Sequence, residues 1–233
     1  PTQAGGTRHY SLAKELIALG HEVQIVAANF NHQTKTPIVN NVTDTVVEQV
    51  YDQVPFIFVN VPGYQGNSPA RLKNMLSFSS KLLCCSFFKR MVPPDVVIGS
   101  SPHPLAAWAA QRMAGRWGVP FIFEVRDLWP QSLIDLGRIS SRHPVVKLLA
   151  HIESYLYNRA AKIVVLLPGA HKYIESIGIN AGKIIWIPNG IDFSIYDQVL
   201  TDVSNKRFTV MYAGAHGLAN GLKTIIKCAE ILD

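Results

Sequence analysis

The sequence predicts an α/β protein built on a Rossmann-like, doubly wound parallel sheet. Six short apolar runs rich in Val, Ile and Phe recur along the 233 residues, and segments with helical periodicity separate them. The runs are apolar almost throughout rather than alternating, which is typical of strands that helices cover on both faces. Strands that alternate with helices form βαβ units with right-handed crossovers. We therefore expect one parallel sheet between two layers of helices.

Turn residues delimit the predicted elements. The strands are predicted in HEVQIVAAN, FIFVNVP, DVVIGSS, FIFEVRD, KIVVLLP and KIIWIPNG, most of which close on Pro, Gly, Ser or Asn. Gly20, Gly118 and Gly178 follow helical segments at the positions where C-cap glycines are expected. These signals set the limits of each helix and strand.

The order of the elements also predicts the domain organisation. A helix, SLAKELIALG, precedes the first strand, so we expect a first strand of about ten residues or fewer to be missing before the glycine turn. Residues 1–190 form an N-terminal Rossmann-like domain. Residues 191–207 are polar and indicate a linker, and 208–233 indicate the first βα unit of a truncated second Rossmann-like domain.

The charge distribution limits the classes of partner. The net charge is +6, and no acidic residue lies between Asp52 and Asp95, a window that holds Arg71, Lys73, Lys81, Lys89 and Arg90. No nucleic-acid reader motif accompanies these cations, so we expect no nucleic-acid partner. An anionic membrane surface or a diphosphate-bearing substrate suits them better. The eight histidines and three cysteines lack metal-ligand spacing, so no metal is expected.

Five segments, in order, carry a family resemblance: GGTRHYSLAKELIALGHEV, FEVRDLWPQSLIDLG, LLPGA, IPNGID and VMYAGAHGLANGL. Together they resemble the GT-B glycosyltransferases of family four, over essentially the whole chain. The resemblance is strongest to the branch that builds bacterial surface polysaccharides and transfers N-acetylated amino sugars such as fucosamine. It implies two Rossmann-like domains that face a cleft, the N-terminal one holding the acceptor and the C-terminal one the nucleotide-sugar donor.

The resemblance also implies a reaction. A family member moves a hexosyl or N-acetylhexosaminyl group from a nucleotide sugar, here expected to be UDP-linked, to a polyprenyl-diphosphate-linked or oligosaccharide acceptor. The transfer retains anomeric configuration and uses no metal or other cofactor. The enzyme is expected in the cytoplasm, peripheral on the inner face of the plasma membrane. The family's donor domain carries two glutamates eight positions apart, a spacing absent here, so the chain alone is expected to be inactive.

Two other functions remain open on the sequence. A UDP-sugar epimerase shares the two-domain fold, but it would need acid/base carboxylates and histidines around the sugar, which RDLWPQS does not resemble. A non-catalytic nucleotide- or partner-binding module is the third possibility. An open reading frame that continues into a glutamate pair would argue against that module.

The N-terminal loop is the first candidate binding site. Gly5 and Gly6 lack a Cβ, so their backbone N–H groups can approach a phosphate at the start of the following helix. Thr7 and Arg8 add a hydroxyl and a cation, and Arg8 is the better candidate for an anion contact. Alternatively, the glycines only close a strand-to-helix turn.

The end of FIFEVRD is the second candidate, because open α/β sheets bind ligands at the carboxyl ends of their strands. The family commonly has a His-Asp pair here; Arg126 replaces the His, so the role of that His is not carried over. Arg126 could hold a phosphate or a sugar carboxylate, or form an ion pair with Glu124. Asp127 could accept a hydrogen bond from an acceptor hydroxyl, or cap the next segment.

Two further strand ends and one helix complete the candidates. Ser101 and His103 follow DVVIGS, where His103 could reach the cleft or cap a helix whose first turn contains Pro104. Asn189 begins the turn towards the second domain and marks a hinge that would gate the cleft. Residues 71–90 are predicted as one long basic helix, with Leu72 and Leu76 among its core-facing residues. That helix either belongs to the domain or docks on a membrane surface.

Overall fold

A computed structural model describes residues 7–40, 42–66, 69–101, 103–135, 140–191, 209–214 and 220–232. The helices within these segments are α1 (Arg8–Ala18), α2 (Pro69–Cys84), α3 (Ser86–Arg90), α4 (Pro104–Trp117), α5 (Gln131–Asp135), α6 (Pro144–Arg159), α7 (Ala170–Ser176) and α8 (Leu222–Leu232). The strands are β1 (Ile25–Ala28), β2 (Val46–Tyr51), β3 (Val54–Val59), β4 (Val97–Ser100), β5 (Phe121–Val125), β6 (Lys162–Val165) and β7 (Ile184–Trp186). The predicted α/β class is confirmed.

The strands form two sheets rather than the one we predicted. A parallel sheet has the order β4-β5-β6-β7, and a three-stranded sheet has the order β1-β3-β2, in which β1 and β3 are parallel. Among the described residues β1 and β4 each pair with a single neighbouring strand, so no backbone ladder joins the two sheets. Side chains on the helices connect them instead.

Strand β2 was not predicted from the sequence. It pairs antiparallel with β3, and the two-residue turn between them, Asp52 and Gln53, has φ angles of 45° and 70°. Turns with positive φ at both positions usually contain glycine, so this hairpin lacks its ordinary sequence signal. The absence of that glycine explains why β2 was missed.

Three apolar clusters form the core: a small one packs Ala13 of α1 against β3, and two larger ones involve α4. One packs α4, α6 and α7 against the four-stranded sheet, with Leu156, Tyr157, Ile163 and Ile174 fully buried. The other packs α2 and α4 against β3. Trp108 of α4 packs against both of these clusters, so side chains of α4 link the packing of the two sheets.

The predicted long helix over 71–90 is in fact two helices. Cys85 adopts an extended conformation and separates α2 from α3. Asn74, Phe78 and Leu82 of α2 face the core at four-residue intervals, which turns Leu72 and Leu76 outwards, 54% and 51% exposed. The prediction that these two leucines face the core is therefore wrong.

Helix ends follow the predicted glycine signals. Gly118 ends α4 in the left-handed conformation, with φ of 68°. Gly20 and Gly178 have φ of 89° and 88° after α1 and α7. A residue with a Cβ is strained in this region, so the three positions favour glycine as the sequence indicated.

The last described residues carry one helix of the predicted βα unit. Residues 209–214 contain no strand, whereas α8 is present with Ile225, Ile226, Ile231 and Leu232 exposed. The linker prediction at 191–207 lies almost wholly outside the described residues. Among the helices of the described segments, none has both the length and the apolar character needed to cross a bilayer.

Candidate functional site

The candidate site lies at the carboxyl edge of the four-stranded sheet. Strands β4 to β7 are parallel, so their carboxyl ends share one edge, where open α/β sheets bind ligands. Ser100 of β4 lies directly opposite Glu124 of β5 in the strand register. The first turn of α1 approaches the same edge through side-chain contacts to Glu124.

Glu124 is the centre of a buried polar network. Arg8 Nε donates to its Oε1 at 2.8 Å, and His9 Nε2 lies 2.6 Å from its Oε2. Ser100 Oγ also donates to Oε2, at 2.7 Å. The Glu124 side chain is only 4% exposed. The alternative in which Glu124 pairs with Arg126 is wrong, because these three side chains already occupy the carboxylate.

The environment keeps Glu124 ionised. Burial alone would raise the pKa of this carboxyl group, but hydrogen bonds and charge from His9, and hydrogen bonds from Arg8 and Ser100, outweigh that effect. The net result lowers the pKa of Glu124 to about 2. A carboxylate with this pKa accepts hydrogen bonds at neutral pH and has no proton to donate.

Arg8 connects the network to the segment after β7. Its Nη1 donates to the carbonyl oxygen of Pro188 at 2.6 Å, and its Nη2 donates to that of Ile187 at 3.0 Å. All three guanidinium nitrogens therefore have protein partners. This arrangement fastens the start of α1 to the backbone just before Asn189, and the anion contact of Arg8 stays a prediction.

Ser101 organises the loop after β5. Its buried Oγ accepts hydrogen bonds from the backbone N–H groups of Arg126 and Asp127, at 2.8 and 3.2 Å. The hydroxyl is thus engaged within the protein. The side chains of Arg126 and Asp127 make no hydrogen bond or ion pair with another described residue, and Asp127 is exposed. Both side chains are therefore available to a ligand at this edge.

His103 caps α4, as one of the two sequence alternatives held. Its Nδ1 accepts from the N–H of Ala106 at 2.9 Å, and its ring lies 5.9 Å from that of Phe78. Burial, with smaller contributions from nearby His32 and Arg71, lowers the pKa of His103 to about 4. Its buried Nε2 has no partner among the described residues. A catalytic role for His103 stays a prediction.

The remaining candidates surround this edge or lie outside the described residues. Gly5 and Gly6 lie outside them. Thr7 precedes α1 and is exposed, and its hydroxyl makes no cap hydrogen bond. Asn189 is exposed and follows the carbonyls that Arg8 binds. Within the described segments no group of three or more His, Cys, Asp or Glu side chains could hold a metal ion.

The sequence reasoning missed His9. An available signal was the charge of Glu124 within an apolar, buried strand, because a buried carboxylate requires hydrogen-bond donors. Arg8 and His9 are consecutive donors at the start of a helix that the same fold places at the strand ends. The distance of 116 positions between Arg8 and Glu124 conceals this contact in the sequence.

The fold and this edge define an α/β domain whose parallel sheet carries polar side chains at its carboxyl edge. The Glycosyl transferase 4-like domain family matches residues 4–190, and the chain therefore belongs to that family. Membership establishes glycosyl transfer, with a sugar donor and an acceptor, as the general activity. A search of curated protein sequences finds no match.

Solved structures support the fold. A structure titled sucrose-phosphate synthase from Thermosynechococcus elongatus matches with a TM-score of 0.50 and 11% identity, over 82% of this chain and 90% of that chain. At this identity the likeness shows the fold alone, which is similar to a GT-B glycosyltransferase. The FeoB G-domain from Methanococcus jannaschii matches with a TM-score of 0.21 and 16% identity, over 68% of this chain and 97% of that chain. A TM-score of 0.21 is too low to indicate a shared fold.

Proposed function

We propose that this chain is the acceptor-side part of a retaining glycosyltransferase. The full enzyme moves a hexosyl or N-acetylhexosaminyl group from a UDP-sugar to a polyprenyl-diphosphate-linked or oligosaccharide acceptor, in cell-surface polysaccharide synthesis. The donor site lies chiefly outside these residues, because no glutamate pair of the family's spacing occurs in the sequence. By itself the 233-residue chain does not turn over.

One observation carries the proposal. Arg126 and Asp127 present a cation and a carboxylate at the carboxyl edge that have no side-chain partner within the described segments, and Ser101 holds their backbone in place. A fixed loop with free charged groups is suited to a diphosphate on one side and a sugar hydroxyl on the other. In this arrangement Arg126 binds phosphate oxygens, and Asp127 accepts a hydrogen bond from the acceptor hydroxyl.

Transfer by the natural full-length protein tests the proposal. Labelled UDP-N-acetylglucosamine is incubated with a prenyl-diphosphate-linked N-acetylglucosamine, and the anomeric configuration of the product is read by NMR. We expect D127N and R126Q to lower kcat/KM by about tenfold to a hundredfold, the value of one or two charge-assisted hydrogen bonds. The control D95N changes an exposed carboxylate just before β4, at the amino edge of the sheet, and is expected to have no effect.

Calorimetry of the isolated chain tests the division of the two sites. No detectable heat from UDP into the millimolar range is the expected result. Micromolar binding of UDP would instead place the nucleotide site within these residues and favour a nucleotide-binding module. Absence of transfer together with micromolar UDP binding would contradict the proposed function.

We further propose that α2 and α3 dock on an anionic lipid surface, which brings a lipid-linked acceptor to this edge. Leu72 and Leu76 expose apolar area on the outer face of α2, with Lys73 between them. Lys89 and Arg90 of α3 are also exposed. No acidic residue between Asp52 and Asp95 opposes these cations, and the combination of apolar and cationic groups matches an anionic bilayer surface.

Vesicle sedimentation tests this surface. The chain is expected to bind phosphatidylglycerol vesicles and to leave phosphatidylcholine vesicles unbound, with binding lost in the L72S/L76S double variant. The double variant L19S/L148S changes two other exposed leucines, on different helices or their ends, and is expected to bind like the wild type. Equal loss in both double variants, or equal binding to both lipids, would contradict the proposal.

A further inference from the structure

The Glu124 network includes a histidine that is partly open to solvent. The Arg8 and Glu124 side chains are 7% and 4% exposed, whereas the His9 side chain is 38% exposed. We propose that His9 is a substrate-contacting residue of the glycosyltransferase, whose Nδ1 accepts a hydrogen bond from a hydroxyl group of the acceptor sugar. The proposal rests on the proposed function and deepens it.

The hydrogen bond to Glu124 decides which nitrogen of His9 carries the proton. An ionised carboxylate only accepts hydrogen bonds, so the contact of 2.6 Å requires a proton on His9 Nε2. With that proton alone, the ring keeps its lone pair at Nδ1. A carboxylate that holds a histidine by one ring nitrogen leaves the other nitrogen to face a ligand.

Burial shields two other members of the network from a ligand, because the Arg8 and Glu124 side chains are 7% and 4% exposed. Glu124 receives donors on both oxygens, from Arg8 on one and from His9 and Ser100 on the other. Arg8 has its three guanidinium nitrogens on Glu124 and on two backbone carbonyls. Among the described residues His9 Nδ1 has no partner. This nitrogen belongs to a partly exposed ring and is open to a ligand.

The charges beside the ring favour an uncharged ligand group. The formal charges of Arg8 and Glu124 offset each other across the 2.8 Å ion pair. A lone pair at Nδ1 needs a donor, and phosphate oxygens are acceptors at neutral pH. A sugar hydroxyl supplies a donor. His9 therefore complements the roles proposed for Arg126, which would bind phosphate, and for Asp127, which would bind a second hydroxyl.

The tautomer is tested first, by long-range nitrogen–proton NMR correlation on histidine-labelled protein. The expected spectrum of His9 shows a proton on Nε2 and a lone pair on Nδ1. The control is His21, an exposed histidine just beyond α1. A His9 ring protonated on Nδ1 alone would overturn the proposal.

Ligand contact is tested next with a short-chain prenyl-diphosphate-linked N-acetylglucosamine as the probe. Its addition to the full-length protein is expected to shift the Nδ1 resonance of His9 and to leave that of His21 in place. H9F keeps a flat ring without an acceptor nitrogen and is expected to raise the acceptor KM about tenfold, the loss of one hydrogen bond. H9N returns an acceptor oxygen and is expected to recover part of that loss. The donor KM stays constant in both variants.

Two failures can be told apart. Probe binding that leaves His9 unshifted, or H9F with a wild-type acceptor KM, would overturn the role of His9 while glycosyl transfer stands. A wild-type protein that neither binds the probe nor transfers sugar to it would overturn the proposed function and the His9 contact together. The control variant H21N removes an exposed histidine just beyond the end of α1 and is expected to behave as wild type in every measurement.

Discussion

Glu124 illustrates how a single buried charge is stabilised by side chains that are remote in the sequence. Its neighbours along β5 are apolar and its side chain is 4% exposed, so water scarcely solvates the carboxylate. Three donors from α1 and β4 replace that water. The Arg8 side chain depends on the same contact, because it is almost as deeply buried. Loss of either partner therefore leaves an uncompensated charge.

Substitution of Glu124 measures the value of this network. E124Q removes the charge that faces Arg8, and we expect it to lower the free energy of unfolding by about 3 kcal/mol, the usual cost of breaking a buried ion pair. Urea denaturation is the measurement. D127N neutralises an exposed carboxylate three residues later and is expected to change stability by less than about 0.5 kcal/mol. Equal effects of the two variants would contradict the assigned burial.

Individual residues also mark the limit of sequence reasoning at this scale. The sequence drew attention to Arg8, Ser101, Arg126 and Asp127 because each follows or precedes a predicted turn. It could not assign their partners, since Arg8 reaches positions 124, 187 and 188 only after the chain folds. It missed His9 for the same reason.

Helix α4 is the element that fixes the geometry of the carboxyl edge. It packs on β4 at Gly99, where an added Cβ would lie 2.9 Å from Phe121 Cε2 and 3.1 Å from the backbone Cα of Ala107. The absence of a side chain at Gly99 lets the helix approach the strand closely. Residue 103, which caps this helix, and Ser101 are positioned by that approach.

Enlarging Gly99 tests the close contact. G99A is expected to lower the free energy of unfolding by about 1–3 kcal/mol, because the added methyl group overpacks the interface and one neighbour is backbone. The matched control is G115A on the exposed side of α4, where the nearest atom is 3.9 Å away. That change is expected to raise stability by about 0.5–1 kcal/mol, since alanine favours the helix. Thermal unfolding of both variants is the measurement, and destabilisation by G115A would contradict this account.

For the whole molecule, two buried groups in different elements oppose each other in their response to pH. Glu153 of α6 accepts hydrogen bonds from Tyr157 and Tyr173, at 2.8 and 3.1 Å, but burial outweighs them and raises its pKa from 4.5 to about 7. Burial has the opposite effect on His103, whose pKa it lowers from 6.5 to about 4. Burial favours the neutral form of both groups.

The signs follow from proton binding in the two states. Between pH 4.5 and 7 the folded protein holds a proton on Glu153 that the unfolded chain has lost, so stability falls as pH rises. Between pH 4 and 6.5 the unfolded chain binds a proton on His103 that the folded protein excludes, so stability rises with pH. We therefore expect partial cancellation in the wild type over pH 4.5–6.5. Burial also lowers the pKa of His32, so His32, like His103, makes stability rise with pH.

Single variants separate the two contributions. In E153Q the free energy of unfolding is expected to rise with pH between pH 4.5 and 6.5. In H103N, whose side-chain oxygen can still cap α4, it is expected to fall with pH over the same range. Because one pKa unit corresponds to about 1.4 kcal/mol, each change amounts to at most about 3 kcal/mol. Urea denaturation at several pH values is the measurement. If the free energy of unfolding changed with pH in the same direction in E153Q and H103N, the opposite contributions assigned to Glu153 and His103 would be wrong.

Glu124 is expected to cause a loss of stability at low pH. Its pKa of about 2 in the folded protein, against 4.5 ordinarily, means that its contribution is present above pH 4.5 and is lost as pH falls towards 2. In E124Q this loss is expected to disappear from the pH profile. An unchanged loss of stability at low pH in E124Q would contradict the assignment.

The sequence by itself determined the α/β class, six of the seven described strands, the glycine ends of the helices and the family. These features depend on local periodicity, turn residues and motif order, which the chain carries without folding. The tertiary structure decided the division into two sheets, the hairpin with β2, the break at Cys85 and the outward face of α2. It also decided that Glu124 pairs with Arg8 and His9, because contacts between residues more than a hundred positions apart depend on how strands and helices pack, which local patterns do not specify.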